Sequence, residues 1–201
     1  MLIQQSASYE EIYRNFKWQI PDYYNIAYDV CDRHADDPER VALIHESLNG
    51  DVKTYHYQQI RDYANQMANG LVELGLERGD VVSIILPQAP EVPITHIACW
   101  KAGLVSSPIS VLFGSDAIVY RVNDTQSKVI VTNSANLAKV LEVKNQLNSL
   151  QRILVVDDSN DQSRDYWLFL QNCPTTFENV ATRSDEPAFI NYTSGTTGDP
   201  K

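Results

Sequence analysis

Val81-Val82-Ser83-Ile84-Ile85-Leu86 is apolar almost throughout. A short unbroken run of that kind fits a central strand buried on both faces. Pro87 ends it. The clearest helix of the chain lies just before it, over residues 58–74. Ile60, Tyr63 with Ala64, Met67, Leu71 and Leu74 recur there at three- and four-residue steps, so one stripe faces a core. Gly75 is placed as the C-terminal cap, and Leu76-Glu77-Arg78-Gly79-Asp80 is a tight connection into the strand.

Downstream the alternation repeats. Pro90 sits in the first turn of a helix that runs to about Lys101, Gly103 closes it, and residues 104–109 form a further short strand. Ser115 or Asp116 caps a helix to about Asp124; residues 128–132 are a strand and 134–147 an amphipathic helix. Residues 153–156 follow as a strand and 166–171 as a short helix. Strand and helix in turn are the sign of parallel βαβ units. The expected fold class is α/β, a mixed or parallel sheet flanked by helices.

Upstream of this block, Ser8 caps a helix over residues 8–16, with Glu11 at capping-box spacing. Residues 25–35 read as a second helix with Ile26, Val30 and Cys31 on one face, ended by Asp37-Pro38. Residues 41–45 are a short buried-strand candidate, and Asn49-Gly50-Asp51 turns the chain into a hairpin partner over 52–57. At the other end, residues 173–186 are polar and loop-like, leading to a last strand at Ala188-Phe189-Ile190.

The formal net charge is −10 and no Lys/Arg cluster interrupts it, which suits neither nucleic acid nor an anionic membrane surface. No segment approaches the roughly 18 unbroken apolar residues of a membrane span. Cys31, Cys99 and Cys173 are sparse, with no Cys-x-x-Cys, as expected for reduced thiols in a cytoplasmic protein. Asp157, Ser159 and Asp161 open with calcium-loop spacing. Gln162 and Leu168 then stand where such a loop needs Gly and Glu, so a solvated acidic turn is expected. His96 and Cys99, one helical turn apart, could share a metal; between Ile94, Ile97 and Trp100 they read better as core residues.

The chain's richest chemistry is its last stretch, Tyr192-Thr193-Ser194-Gly195-Thr196-Thr197-Gly198-Asp199-Pro200-Lys201. Strand, then a Gly/Ser/Thr loop, then Lys suits phosphate binding. Glycines let backbone N–H groups turn toward an anion, hydroxyls add donors and an ammonium adds charge. It is not a Walker loop, because Pro200 stands where the second glycine belongs. On composition alone a flexible polar tail is the plain alternative. The order of residues, however, closely resembles the signature loop of the AMP-forming adenylating enzymes, the acyl-CoA synthetases and their relatives. Leu74-Gly75-Leu76-Glu77-Arg78-Gly79-Asp80-Val81-Val82 resembles the same family's connection into its central strand. Leu86-Pro87-Gln88, Trp100-Lys101-Ala102-Gly103 and Pro108 also fall where the family places such residues. Tyr55-His56-Tyr57 departs from its usual Tyr-Thr-Tyr, putting a poorer helix cap at His56, at a cost of about 1 kcal/mol.

The resemblance is nearest the short- and medium-chain acyl-CoA synthetases. It implies a two-step ligase: ATP adenylates a carboxylic acid with release of pyrophosphate, and coenzyme A then displaces AMP to give a thioester. Thr193, Ser194, Thr196 and Thr197 would donate to the β- and γ-phosphates, Gly195 and Gly198 would allow close backbone approach, and Lys201 would supply charge. The family's Mg²⁺ ligand, its adenine, ribose and acyl pockets and its C-terminal catalytic lysine all follow this loop, and none of those patterns occurs here. Residues 1–201 are therefore expected to be the truncated N-terminal part of an adenylation domain, inactive alone, with no catalytic residue of its own. As last residue, Lys201 would carry an α-carboxylate opposing a bound phosphate. Such a piece should leave open strand edges and unburied helix faces. The alternative is a non-catalytic module that keeps the early fold to bind a nucleotide or a partner.

Overall fold

The computed structural model describes residues 8–193. In chain order the elements are α1 Tyr9–Asn15, α2 Ile26–Val30, β1 Val41–Glu46, β2 Val52–His56, α3 Tyr57–Glu73, β3 Val81–Ile85 and α4 Glu91–Lys101. They continue with β4 Val105–Pro108, α5 Ser115–Asp124, β5 Val129–Thr132, α6 Ser134–Glu142, β6 Arg152–Val155, β7 Arg164–Asp165 and α7 Tyr166–Gln171. Strands β3 to β7 form one wholly parallel sheet in the order β4-β3-β5-β6-β7, while β1 and β2 pair as a separate antiparallel ribbon.

The apolar run at Val81 is the strand expected of it: β3 lies between β4 and β5 and is buried at all five positions. Side chains on a strand alternate between faces, and here the alternation divides the core in two. Val129, Val131 and Leu154 point to a cluster with Ala27 of α2, Met67 and Leu71 of α3, Ile94 of α4 and Phe169 of α7. Ile130, Ile153 and Val155 point the other way, to Ile118 and Val122 of α5 and Leu137 and Val140 of α6. Both sheet faces are covered by helices. The order of strand addition reverses around β3: the β3–α4–β4 unit runs to one side, and β4–α5–β5 crosses back over it on the opposite face. That reversal makes the carboxyl end of β3 a topological switch point, where α/β sheets bind ligands.

Three local signals held, at Ser8, Gly75 and His56. Ser8 Oγ accepts from Glu11 N at 3.2 Å. Gly75 takes φ +84°, and Gly75 N and Leu76 N close back on Val72 and Leu71 in the pattern that ends a helix at a left-handed glycine. His56 does occupy the N-cap position of α3, and Gln59 Oε1 accepts its backbone N–H at 3.0 Å, which supplies half a capping box despite the missing Thr.

Other boundaries moved for tertiary reasons. Helix α2 stops at Val30 and gives way to a 3-10 turn, Asp32–His34; the buried residues are Ala27, Cys31 and Ala35, while Val30 is exposed. The turn carries Asp32 toward Lys101. Strand β1 is not buried, because its ribbon lies outside the main sheet. Gly114, not Ser115 or Asp116, is the N-cap of α5, and Ser115 Oγ instead donates to Glu142 at 2.8 Å. Helix α6 ends at Glu142, with a 3-10 turn Lys144–Gln146 in place of its last predicted turn.

The polar stretch 173–186 is not loose. Three amides on one side of α3 hold its carbonyls: Asn65 Nδ2 donates to Thr175 O (2.7 Å), Gln66 Nε2 to Cys173 O (3.2 Å), and Asn69 Nδ2 to Pro174 O and Thr176 O (3.0 and 2.9 Å). Further on, Asn25 Nδ2 donates to both Trp100 O and Val180 O, tying the end of α4 to the same stretch. Gly103, at φ +68°, has Val180, Arg78 and Thr182 close to where a Cβ would stand. Arg78 in turn donates from Nε to Glu186 at 2.6 Å.

Candidate functional site

Guided by those anchors, residues 188–190 return to the free edge of β4. Ser106 N donates to Ala188 O at 3.1 Å and Ile190 N donates to Ser106 O at 3.0 Å. The result is a parallel bridge between Ser106 and Phe189 rather than the full strand expected from the apolar run. Trp100 Nε1, donating to Ala188 O at 2.9 Å, adds a third hold. Because the bridge runs parallel to β4, residues 191–193 leave it toward the carboxyl end of the sheet, where an anion-binding loop belongs.

Thr193 is exposed at that point. Of the other predicted site residues, Ser194, Gly195, Thr196, Thr197, Gly198 and Lys201 lie outside the described residues. Tyr192, just before Thr193, donates its hydroxyl to the Asp124 carboxylate at the end of α5.

His96 supports the bridge from beneath. Its Nδ1 lies 2.8 Å from Ser106 Oγ, and its ring stacks on Trp100 and meets Phe189 at 5.5 Å between centroids. Burial pushes its pKa down to about 4, so the imidazole is neutral at pH 7. It borders an apolar cavity of about 340 Å³ between β1, α3 and α4, lined by Leu43, Tyr57, Ile60, Ile97 and Trp100. Cys99 points instead into the first core cluster, where burial raises its thiol. The two do not converge on a metal, and among the described residues no group of three or more His, Cys, Asp or Glu could hold one. Asp157, from the acidic turn, caps α6: it accepts from Ser134 N and Oγ at 2.7 and 2.8 Å. Burial pushes that carboxyl up, and the Ser134 hydrogen bonds outweigh it, leaving the pKa below its ordinary value.

A pH dependence follows from His96. The unfolded imidazole titrates near 6.5 and the folded one near 4, so between those values the unfolded chain binds the extra proton. Stability from this group is whole above pH 6.5 and is lost as pH falls toward 4. Urea midpoints from pH 7.5 to 4.5 should fall less steeply in His96→Gln than in the parent; identical slopes would contradict the buried, neutral imidazole.

Sequence reasoning did not anticipate Trp100, Ser106, His96 and Asp124 as the groups that hold residues 188–192. Only Trp100 carried a signal, through its place in the Trp-Lys-Ala-Gly string.

Comparison with known proteins bears on the same region. The sequence model of the AMP-binding enzyme family matches residues 31–201. An acetyl-coenzyme A synthetase of Streptomyces coelicolor is 34% identical over 208 residues, covering 92% of this chain and 31% of that protein. A 3-hydroxypropionyl-coenzyme A synthetase of Metallosphaera sedula is 36% identical over 204 residues, with the same coverages. Among solved structures, an acyl-CoA synthetase of Brucella canis superposes with a TM-score of 0.86 at 25% identity, covering 96% of this chain and 37% of that one. The chain thus spans about a third of the length of the proteins it matches.

Proposed function

We propose, from the premise that this chain belongs to the AMP-binding enzyme family, that residues 1–201 are the N-terminal part of the adenylation domain of an AMP-forming acyl-CoA synthetase. The observation that carries this is the parallel bridge of 188–190 on β4, which delivers Thr193 to the carboxyl end of the sheet. The whole reaction would take ATP, a carboxylic acid and coenzyme A to acyl-CoA, AMP and pyrophosphate. The likeness to acetyl- and 3-hydroxypropionyl-coenzyme A synthetases favours a short acid. In this reading Thr193, Ser194, Thr196 and Thr197 donate to phosphate oxygens, Gly195 and Gly198 leave room for the backbone to approach, and Lys201 neutralises pyrophosphate charge. Mg²⁺ accompanies the ATP, with its ligand outside these 201 residues.

The 201 residues hold phosphate without completing adenylation. Lys201→Ala should weaken pyrophosphate binding about tenfold or more, the worth of one charge-assisted hydrogen bond. Acid-dependent ATP–pyrophosphate exchange by the 201-residue chain should stay at background. Turnover well above background would overturn the second statement, and unchanged binding in Lys201→Ala the first. A second reading, a non-catalytic binding module, draws on the two closed core clusters. It expects a sharp two-state melt without dye binding, whereas a piece of a larger domain should bind ANS.

A further inference from the structure

We infer that α5 carries a clamp, made by Arg121 and Asp124 with Tyr120 beside them, that holds Tyr192 and so fixes where the proposed phosphate loop begins. The inference rests on the loop reading above. Arg121 and Asp124 are three residues apart and share one face of the helix. Tyr192 is gripped there at two points: its hydroxyl donates to Asp124, and the Arg121 guanidinium lies 5.1 Å from its ring centroid. Tyr120 meets the same ring edge-on at 6.1 Å. The guanidinium also lies over the Phe113 ring, 4.0 Å from its centroid.

Arg121 is an unusual choice for packing alone. It is only 5% exposed, and among the described residues its Nε has no hydrogen-bond partner while Nη1 donates to Ala117 O in its own helix, at 3.0 Å. Among the described residues it forms no ion pair with a carboxylate. A buried cation and an unpaired donor are costly, and a methionine would fill the same space without them. What the guanidinium supplies, and methionine does not, is a planar cation for the faces of Phe113 and Tyr192. Burial and the Asp124 carboxylate hold the Tyr192 phenol well above its ordinary pKa, so its hydroxyl remains a donor at any working pH. Since Thr193 follows Tyr192 directly, this ring, two residues beyond the Ile190–Ser106 hydrogen bond, sets the direction in which the loop starts.

The test is amide hydrogen exchange read residue by residue in Tyr192→Phe, Arg121→Met and Arg121→Lys. Tyr192→Phe removes one oxygen and Arg121→Met removes the cation at similar volume. Each should speed exchange at Ile190 about tenfold, the loss of one charge-assisted contact, while Val82 and Ile84 in β3 exchange as in the parent. Arg121→Lys, which keeps the charge but not the plane, should recover part of the protection. Pyrophosphate affinity should fall in the same order. Exchange at Ile190 equal to the parent in Tyr192→Phe overturns the clamp, and that variant decides alone if Arg121→Met does not fold. Exchange needs no ligand, so failure of pyrophosphate binding in the parent would refute the loop reading and leave the clamp to be judged on its own result.

Discussion

Replacing Asp32 by alanine is expected to lower the unfolding free energy by about 3–5 kcal/mol, as breaking one side of a buried ion pair does. Lys101 Nζ lies 2.5 Å from both Asp32 oxygens, and the lysine side chain is 1% exposed. Asn179 closes the group, with Nδ2 donating to Asp32 Oδ2 at 2.7 Å and Oδ1 3.3 Å from Nζ. Without Asp32 the ammonium has one neutral acceptor and no route to water. Lys101→Met should cost less, because Asp32 is 16% exposed and keeps its Asn179 bond. The double variant should recover part of the Asp32→Ala loss, since it buries no unpaired charge. Urea unfolding at constant m-value measures all three. An Asp32→Ala variant within about 1 kcal/mol of the parent would mean that the Lys101 ammonium is not sealed from solvent. The group also joins the turn after α2, the end of α4 and the stretch that leads to the site, so its loss should free residues 177–190 before the sheet.

Ile130→Ala should cost about 2–5 kcal/mol, and Ile130→Val only about 0.5–1.5. Ile130 is fully buried in β5, the strand between β3 and β6, and points into the cluster covered by α5 and α6. A cavity there has close-packed neighbours on every side and little freedom to collapse. Ile44→Ala makes the contrast. That residue is exposed on the outlying ribbon, and its loss should fall within about 0.5 kcal/mol. Equal costs at the two positions would contradict the division between central sheet and ribbon. Because α5 also carries Arg121 and Asp124, Ile130→Ala should loosen Tyr192 as well, and Ile190 exchange would register it.

The sequence by itself determined the parallel α/β plan, the identity of its central strand and the family to which the last ten residues point. Those features are written in short-range terms: a buried run from Val81 to Leu86, helical stripes at three- and four-residue steps, a glycine at the end of α3, an ordered Gly/Ser/Thr loop. Tertiary structure alone decided which helices cover which face, and that Lys101 meets Asp32 across 69 residues. It decided that three amides of α3 pin the polar stretch 173–176, and that Ala188-Phe189-Ile190 makes a bridge instead of a strand. It also brought Arg121 under Tyr192. None of these leaves a local pattern, because each partner satisfies a charge, a carbonyl or a ring supplied by a distant segment, and only the packed sheet brings the two together.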